Sequence, residues 1–175
     1  MTPPGVMSTL AALNRRGLLT VVSQPAAEPG TGDDGAIWAQ RAAVGFIVTP
    51  AAAQLIREVV APTGVLTHLS PIIEHLPPAG DRNRIDYWSS AIEVSTRNAV
   101  AVTVFGGQWY ADELCSGFDR CAHRVASRIL EESVSFLAYD PEFGRDDRLW
   151  PALAACVAAD IDRLVGRADT DGQIS

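Results

Sequence analysis

The chain has 175 residues, a hydrophobic content of 47% and a formal charge of −7. That length suits one domain able to bury roughly 70% of its unfolded surface, and the acidic balance, with fourteen basic residues and no lysine, argues against a nucleic-acid partner. No stretch approaches the ~18–20 apolar residues of a membrane span, no basic-then-apolar leader opens the chain, and three widely spaced cysteines point to free thiols and a cytoplasmic protein.

Residues 7–16 (MSTLAALNRR) place Met7, Leu10, Ala11 and Leu13 on one helical stripe, with Ser8 as cap and Gly17 as terminator. Residues 18–23 (LLTVVS) read as a strand. Gln24 to Gly35 carries two prolines, three glycines and two aspartates and reads as a loop. Residues 36–48 read as a strand. Thr49-Pro50 starts a helix that runs to Ala61, with Leu55, Ile56, Val59 and Val60 as its buried stripe. Residues 65–69 suggest a strand and residues 70–84 a loop. A weak alternation over 85–95 suggests another strand, and 98–105 (NAVAVTVF) a further one before Gly106-Gly107. Residues 117–131 look helical and 133–139 extended. An amphipathic helix follows from Asp146 to Val165. The expected fold is mixed α+β: central β-sheet flanked by helices in a single domain over 1–166, with 167–175 a frayed tail.

Chemistry-bearing motifs are sparse. Cys121-x-His123 lacks the companions a zinc site needs, since no CxxC, HxxxH or HExxH accompanies it. No GxSxG elbow marks a nucleophile. The loop "PGTGDDG" is neither a dinucleotide fingerprint nor a Walker loop, and Asp33-Asp34 would repel phosphate. The pairs Asp33/Asp34, Glu131/Glu132 and Asp146/Asp147 read as solvated or helix-start charges. "DPEFGRDDRLW" (140–150) reads as a loop that packs Phe143, followed by an Asp146-capped helix that buries Leu149 and Trp150. Thr20 and Ser23 stand at the end of a strand. Regular alternation sends them to opposite faces, so both reach one ligand only if the chain bends near Gln24-Pro25. A turn stabilised by hydroxyls is the competing reading.

"LNRRGLLTVVSQP" resembles the start of the C-terminal regulatory domain of eukaryotic methylenetetrahydrofolate reductase, where L-T-x-x-S-Q-P follows a helix end. A glycine-rich loop comes next, then a strand matched here by Trp38, Gln40-Arg41-Ala42 and Phe46. "NAVAVTVFGGQ" and "DPEFGRDDRLW" are similar to two later motifs of that domain. Small stand-alone bacterial proteins carry the same signature without a reductase barrel. The resemblance implies a non-catalytic regulatory module for S-adenosylmethionine or S-adenosylhomocysteine. Thr20 and Ser23 match ligand contacts, Gln24 stands beside them, and Ala101 falls where the family has a threonine. The motifs cover nothing of the catalytic barrel, so no flavin or folate chemistry follows. Two alternatives stand beside a small-molecule-binding module. One is an enzyme that uses Asp33, Asp34 or Asp140 as base. The other is a protein-interaction module with a vestigial pocket. The sequence leaves open whether the partner is another protein or a second copy.

Overall fold

A computed structural model describes residues 6–73, 91–107, 109–115 and 120–158. Within them the chain is mixed α+β, with two sheets. In chain order the elements are α1 (Val6–Arg15), β1 (Leu19–Gln24), β2 (Ala27–Thr31), β3 (Ile37–Gln40), β4 (Ala43–Val48), α2 (Pro50–Val60), β5 (Leu66–Ile73), β6 (Ile92–Arg97), β7 (Val100–Phe105), β8 (Trp109–Tyr110), α3 (Ala111–Cys115), α4 (Arg120–Glu131), β9 (Val134–Tyr139) and α5 (Leu149–Ala158). One sheet has the order β1-β4-β9-β5-β8, the other β2-β3-β6-β7. Every pairing is antiparallel except β5 with β8.

Strand β4 lies between β1 and β9, and all six of its residues are buried. Alternation splits them between two cores. Val44, Phe46 and Val48 face a helical layer in which Leu10 and Leu13 of α1, Ile56 and Val60 of α2, and Leu149 and Leu153 of α5 come together. On the opposite face Ala43 meets Val94 and Leu137, and Ile47 meets Ala111, Cys115 and Leu130. The first sheet is therefore sandwiched. A strand covered on both sides must be apolar throughout, and each large side chain buried there contributes roughly 1.5–3 kcal/mol.

The helix signals hold. Gly17 closes α1 with φ +83°, and Leu18 N–H donates back to the Leu13 carbonyl. Ser8 lies inside α1 rather than capping it, and Met7 is exposed. Thr49 caps α2 by accepting from Ala52 N–H. The buried stripe of α2 is Ala52, Ala53, Ile56 and Val60, while Leu55 and Val59 are half-buried.

Four expectations are corrected. The stretch 36–48 is two strands, because the chain leaves one sheet at Gln40 and joins the other at Ala43. The glycine-rich loop contains β2, whose register with β3 pairs Gly30 with Trp38. Residues 70–73 continue β5, since Ser70 and Pro71 pair with Ser135 and Val134. In the strand expected over 98–105, Asn98 (φ +50°) and Ala99 (φ +61°) form the hairpin turn and β7 begins at Val100. The strand expected over 85–95 lies partly outside the described residues, and β6 occupies 92–97. The extension of the C-terminal helix to 165 and the tail also lie outside them.

Two substitutions test this framework. Ala99 occupies the left-handed region that favours glycine, so Ala99→Gly is expected to raise stability by about 1 kcal/mol, read from urea unfolding. A Cβ at Gly45 would stand 2.6 Å from Cγ2 of Val22. Gly45→Ala is expected to cost about 1–3 kcal/mol. Thermal melts should show part of that loss recovered when Val22→Ala is added.

Candidate functional site

The site begins with an irregularity in β1. Thr20 pairs with Phe46, but Val22, not Val21, pairs with Gly45. Val21 is an extra residue, and both valines lie over the bare glycine. The bulge breaks the alternation. Thr20 and Ser23 now share the face of their cross-strand partners Phe46 and Val44. Strand period alone separates them; the bulge reunites them.

Their surroundings differ. The Asn14 amide donates to Thr20 Oγ1 at 2.7 Å, and Asn14 Oδ1 accepts from Thr20 N–H at 2.9 Å, so one side chain pins the end of α1 to β1. Ser23 is exposed, and its hydroxyl makes no hydrogen bond among the described residues. Gln24 is a tie between the sheets. Its amide nitrogen donates to the carbonyls of Val94 (3.0 Å) and Arg41 (3.3 Å), and its oxygen accepts from Ser95 Oγ (3.1 Å). Ala101 is exposed on β7 and pairs with Thr96, one strand beyond the Ser95 that Gln24 holds.

Around Gln24 lies a seam built by the 140–147 loop. Asp140 is fully buried and receives Arg145 Nε at 2.9 and 2.8 Å and Nη2 at 2.6 Å. Arg145 Nη1 also meets Glu142 Oε1 at 2.6 Å. Backbone bonds fix the loop: Asp140 N–H to Ala42 O and Gly144 N–H to Gln40 O, each 2.9 Å. Gly144 adopts φ +80°, and a Cβ there would stand 3.0 Å from Glu28 Cα, so β2 rests directly on the loop. Asp146 accepts from Ala26 N–H at 3.1 Å and from the indole of Trp150. The expected burial of Leu149 and Trp150 is present. The Asp146 carboxylate, expected as a helix cap, binds these two groups. Arg41 spans the seam, with its guanidinium 4.1 Å from the Phe143 ring centre and 5.8 Å from that of Tyr139. Its Nε is buried without a hydrogen bond.

An open hollow of about 780 Å³ lies between β2 and this loop, walled by Glu28 and Pro29 on one side and Phe143 to Asp147 on the other. The Glu28 and Asp147 carboxylates enter no ion pair among the described residues. The hollow thus offers an aromatic surface and uncompensated negative charge. A smaller hollow of about 280 Å³ lies between α2 and β5, over Phe136. Thr20, Ser23, Gln24 and Ala101 line neither.

Of the three acid–base candidates, Asp34 and Asp140 are engaged elsewhere, while Asp33 is exposed and enters no ion pair among the described residues. Ala36 N–H and the Arg97 guanidinium hold Asp34 below the usual carboxylate range. Asp140 is locked by Arg145. A general base must be free to reach the proton it takes, and neither carboxylate is, since each is held by an arginine. His68 Nε2 lies 3.0 Å from Ser70 Oγ, which in turn donates to Gly106 O. Among the described residues no group of three His, Cys, Asp or Glu is placed to hold a metal. Cys115 and Cys156 are buried free thiols, and burial pushes the Cys156 pKa up to about 11. His75 and the side chains of Cys121 and His123 lie outside the described part. No described helix is long and apolar enough to cross a membrane.

Sequence reasoning singled out Gln24 as a ligand contact but did not single out Arg41 or the Asp140–Arg145 pair. The available signal was an arginine set among alanines between two apolar runs, together with paired charges around Phe143. Gln24→Leu is expected to strand the Arg41 carbonyl and the Ser95 hydroxyl and to cost about 1–3 kcal/mol in denaturant unfolding.

None of the curated proteins matches this chain. The family model described as domain of unknown function (DUF6919) matches residues 3–160. With nearly the whole chain covered, the protein belongs to that family.

Proposed function

We propose that this chain is a cytoplasmic, non-catalytic small-molecule-binding module whose occupancy is read by a partner, and that its ligand is of the adenosyl type, S-adenosylmethionine or S-adenosylhomocysteine. The observation that carries the binding reading is the hollow at the seam. Its volume of about 780 Å³ falls within the roughly 300–1,000 Å³ usual for small-molecule sites. Phe143 supplies a ring for stacking a base. Glu28 and Asp147 supply charge for an ammonium or sulfonium. That charge favours S-adenosylmethionine over S-adenosylhomocysteine, whose sulfur is neutral. The adenosyl identity rests on the L-T-x-x-S-Q-P resemblance, and the shared face of Thr20 and Ser23 supports the β1 corner as a second seat. Strand β2 is exposed along its length. A ligand that bridges Glu28 and Phe143 would hold β2 against the loop and shift its population toward one arrangement. The enzymatic alternative is less favoured, because Asp34 and Asp140 are committed to arginines and Asp33 lines neither hollow.

Calorimetric titration with each ligand, paired with thermal unfolding, tests the proposal. Saturable binding should stabilise the fold by roughly 2.7 kcal/mol at a hundred times the dissociation constant. Weaker binding in Glu28→Gln/Asp147→Asn locates the ligand in the hollow. Weaker binding in Thr20→Ala/Ser23→Ala locates it at the corner. No heat and no shift in melting temperature at millimolar ligand would overturn the adenosyl reading.

A further inference from the structure

Arg41 is a half-buried arginine whose charge the fold leaves unanswered. Arg145, also half-buried, is saturated by Asp140 and Glu142, and Arg97 pairs with Asp34. Arg41 makes no hydrogen bond or ion pair among the described residues, although its Nε is buried; Nη1 and Nη2 are open to solvent. A buried donor without an acceptor costs free energy, and native folds rarely keep one without a use. What holds the group is aromatic. The Phe143 ring centre lies 4.1 Å from the guanidinium carbon and that of Tyr139 5.8 Å. The rings brace the planar group and leave its N–H fork unused, so the side chain has lost much of its freedom before any ligand arrives.

A braced guanidinium fork matches the paired oxygens of a carboxylate or a phosphate. Charge separates the two. Arg41 carries one positive charge, and the neighbouring hollow carries the carboxylates of Glu28 and Asp147 in a chain of net charge −7. A carboxylate brings one negative charge, which Arg41 cancels. Phosphate brings a second, which meets repulsion. We propose that Arg41 is the seat of a ligand's carboxylate, with Phe143 shared between this seat and the hollow that its ring walls. The inference rests on the hollow as the ligand site and adds a chemical class: the ligand is a carboxylate whose remaining part lies on Phe143. S-adenosylmethionine has such a group at its amino-acid end, while its ammonium and sulfonium suit Glu28 and Asp147.

Side-chain nitrogen NMR spectra of the full chain, at fixed ionic strength, read the seat directly. The Arg41 Nε–Hε cross-peak, assigned by through-bond correlation to its own backbone amide, should move saturably as acetate is added across the millimolar range. Acetamide, the neutral isostere, should leave it in place, and phosphate should move it only at higher concentration. An Arg41 signal indifferent to acetate overturns the proposal, and phosphate bound as tightly as acetate overturns the choice of carboxylate. Calorimetry then ties the seat to the hollow. Arg41→Gln should weaken S-adenosylmethionine by about tenfold and leave its decarboxylated analogue unchanged, with circular dichroism confirming the fold. Arg41→Lys, which keeps the charge and loses the fork, repeats the comparison with less change to the packing. Equal losses for both nucleosides, or none for either, overturn the seat while the adenosyl reading stands. Failure of both to bind the wild-type chain overturns the adenosyl reading, and the acetate titration then decides the seat alone.

Discussion

The amide of Gln24 stands where the chain changes sheet, and the architecture depends on its bonds. The crossing from β3 to β4 passes through Arg41-Ala42, so the Arg41 carbonyl belongs to neither ladder. A buried carbonyl without a partner costs about 1–3 kcal/mol. Gln24 supplies that partner, and at the same time reaches Val94 and Ser95 on β6. Arg41 N–H completes the junction by donating to the Val94 carbonyl at 2.9 Å. One neutral side chain with a donor end and an acceptor end thus joins β1, the β3–β4 crossing and β6, and so links the two sheets. A charged residue of similar length would offer only donors or only acceptors.

With the sheets tied there, the positions around the seam are constrained in turn. Strand β4 must be apolar on both faces, because helices cover one and the second sheet with α3 and α4 covers the other. The bulge at Val21 places two valines where a regular strand has one, and only a glycine opposite can receive them. The 140–147 loop closes the junction through backbone bonds to Gln40 and Ala42. Its buried Asp140 is tolerated because Arg145 grips it by two nitrogens and Glu142 N–H adds a third donor. Among the described residues, the buried side-chain polar atom left without a hydrogen bond is Arg41 Nε, whose group is held by aromatic faces.

Much of the fold was legible in the sequence wherever a residue's local role and its tertiary role agree. The Thr49-Pro50 start of α2, the Gly17 stop of α1 and the apolar run of β9 are of this kind. The reading failed where partners distant in sequence decide. Nothing in AIWAQRAAVGFIV marks a break at Arg41-Ala42, since the corner holds no glycine or proline. Its cause is β6, more than fifty residues away. The glycine and proline of 27–31 speak for a loop, yet β3 alongside supplies hydrogen bonds enough to make an edge strand, the position where proline is tolerated. The bulge was equally hidden: LTVVSQ alternates no differently with it or without it, and only the glycine on β4 betrays the extra residue. The candidate site was legible in part for the same reason. Gln24 stood out by its place before proline, and its partners emerge only when the sheets meet.

The seam also explains how fold and ligand chemistry can vary independently in such a chain. The bonds that hold the hollow's walls together run through backbone atoms and one side chain: Gly144 N–H to Gln40 O, Asp140 N–H to Ala42 O, and Ala26 N–H to the carboxylate of Asp146. The groups that face the hollow, Glu28, Phe143 and Asp147, take no part in those bonds. Substitution among them changes what the hollow attracts and leaves the junction whole. At Thr20 the opposite holds, since its hydroxyl receives the Asn14 amide that joins α1 to β1. A ligand that claimed that hydroxyl as acceptor would compete with a bond of the fold. A ligand in the hollow meets no such competition, and for that reason the uncompensated carboxylates of Glu28 and Asp147 are the stronger physical ground for recognition.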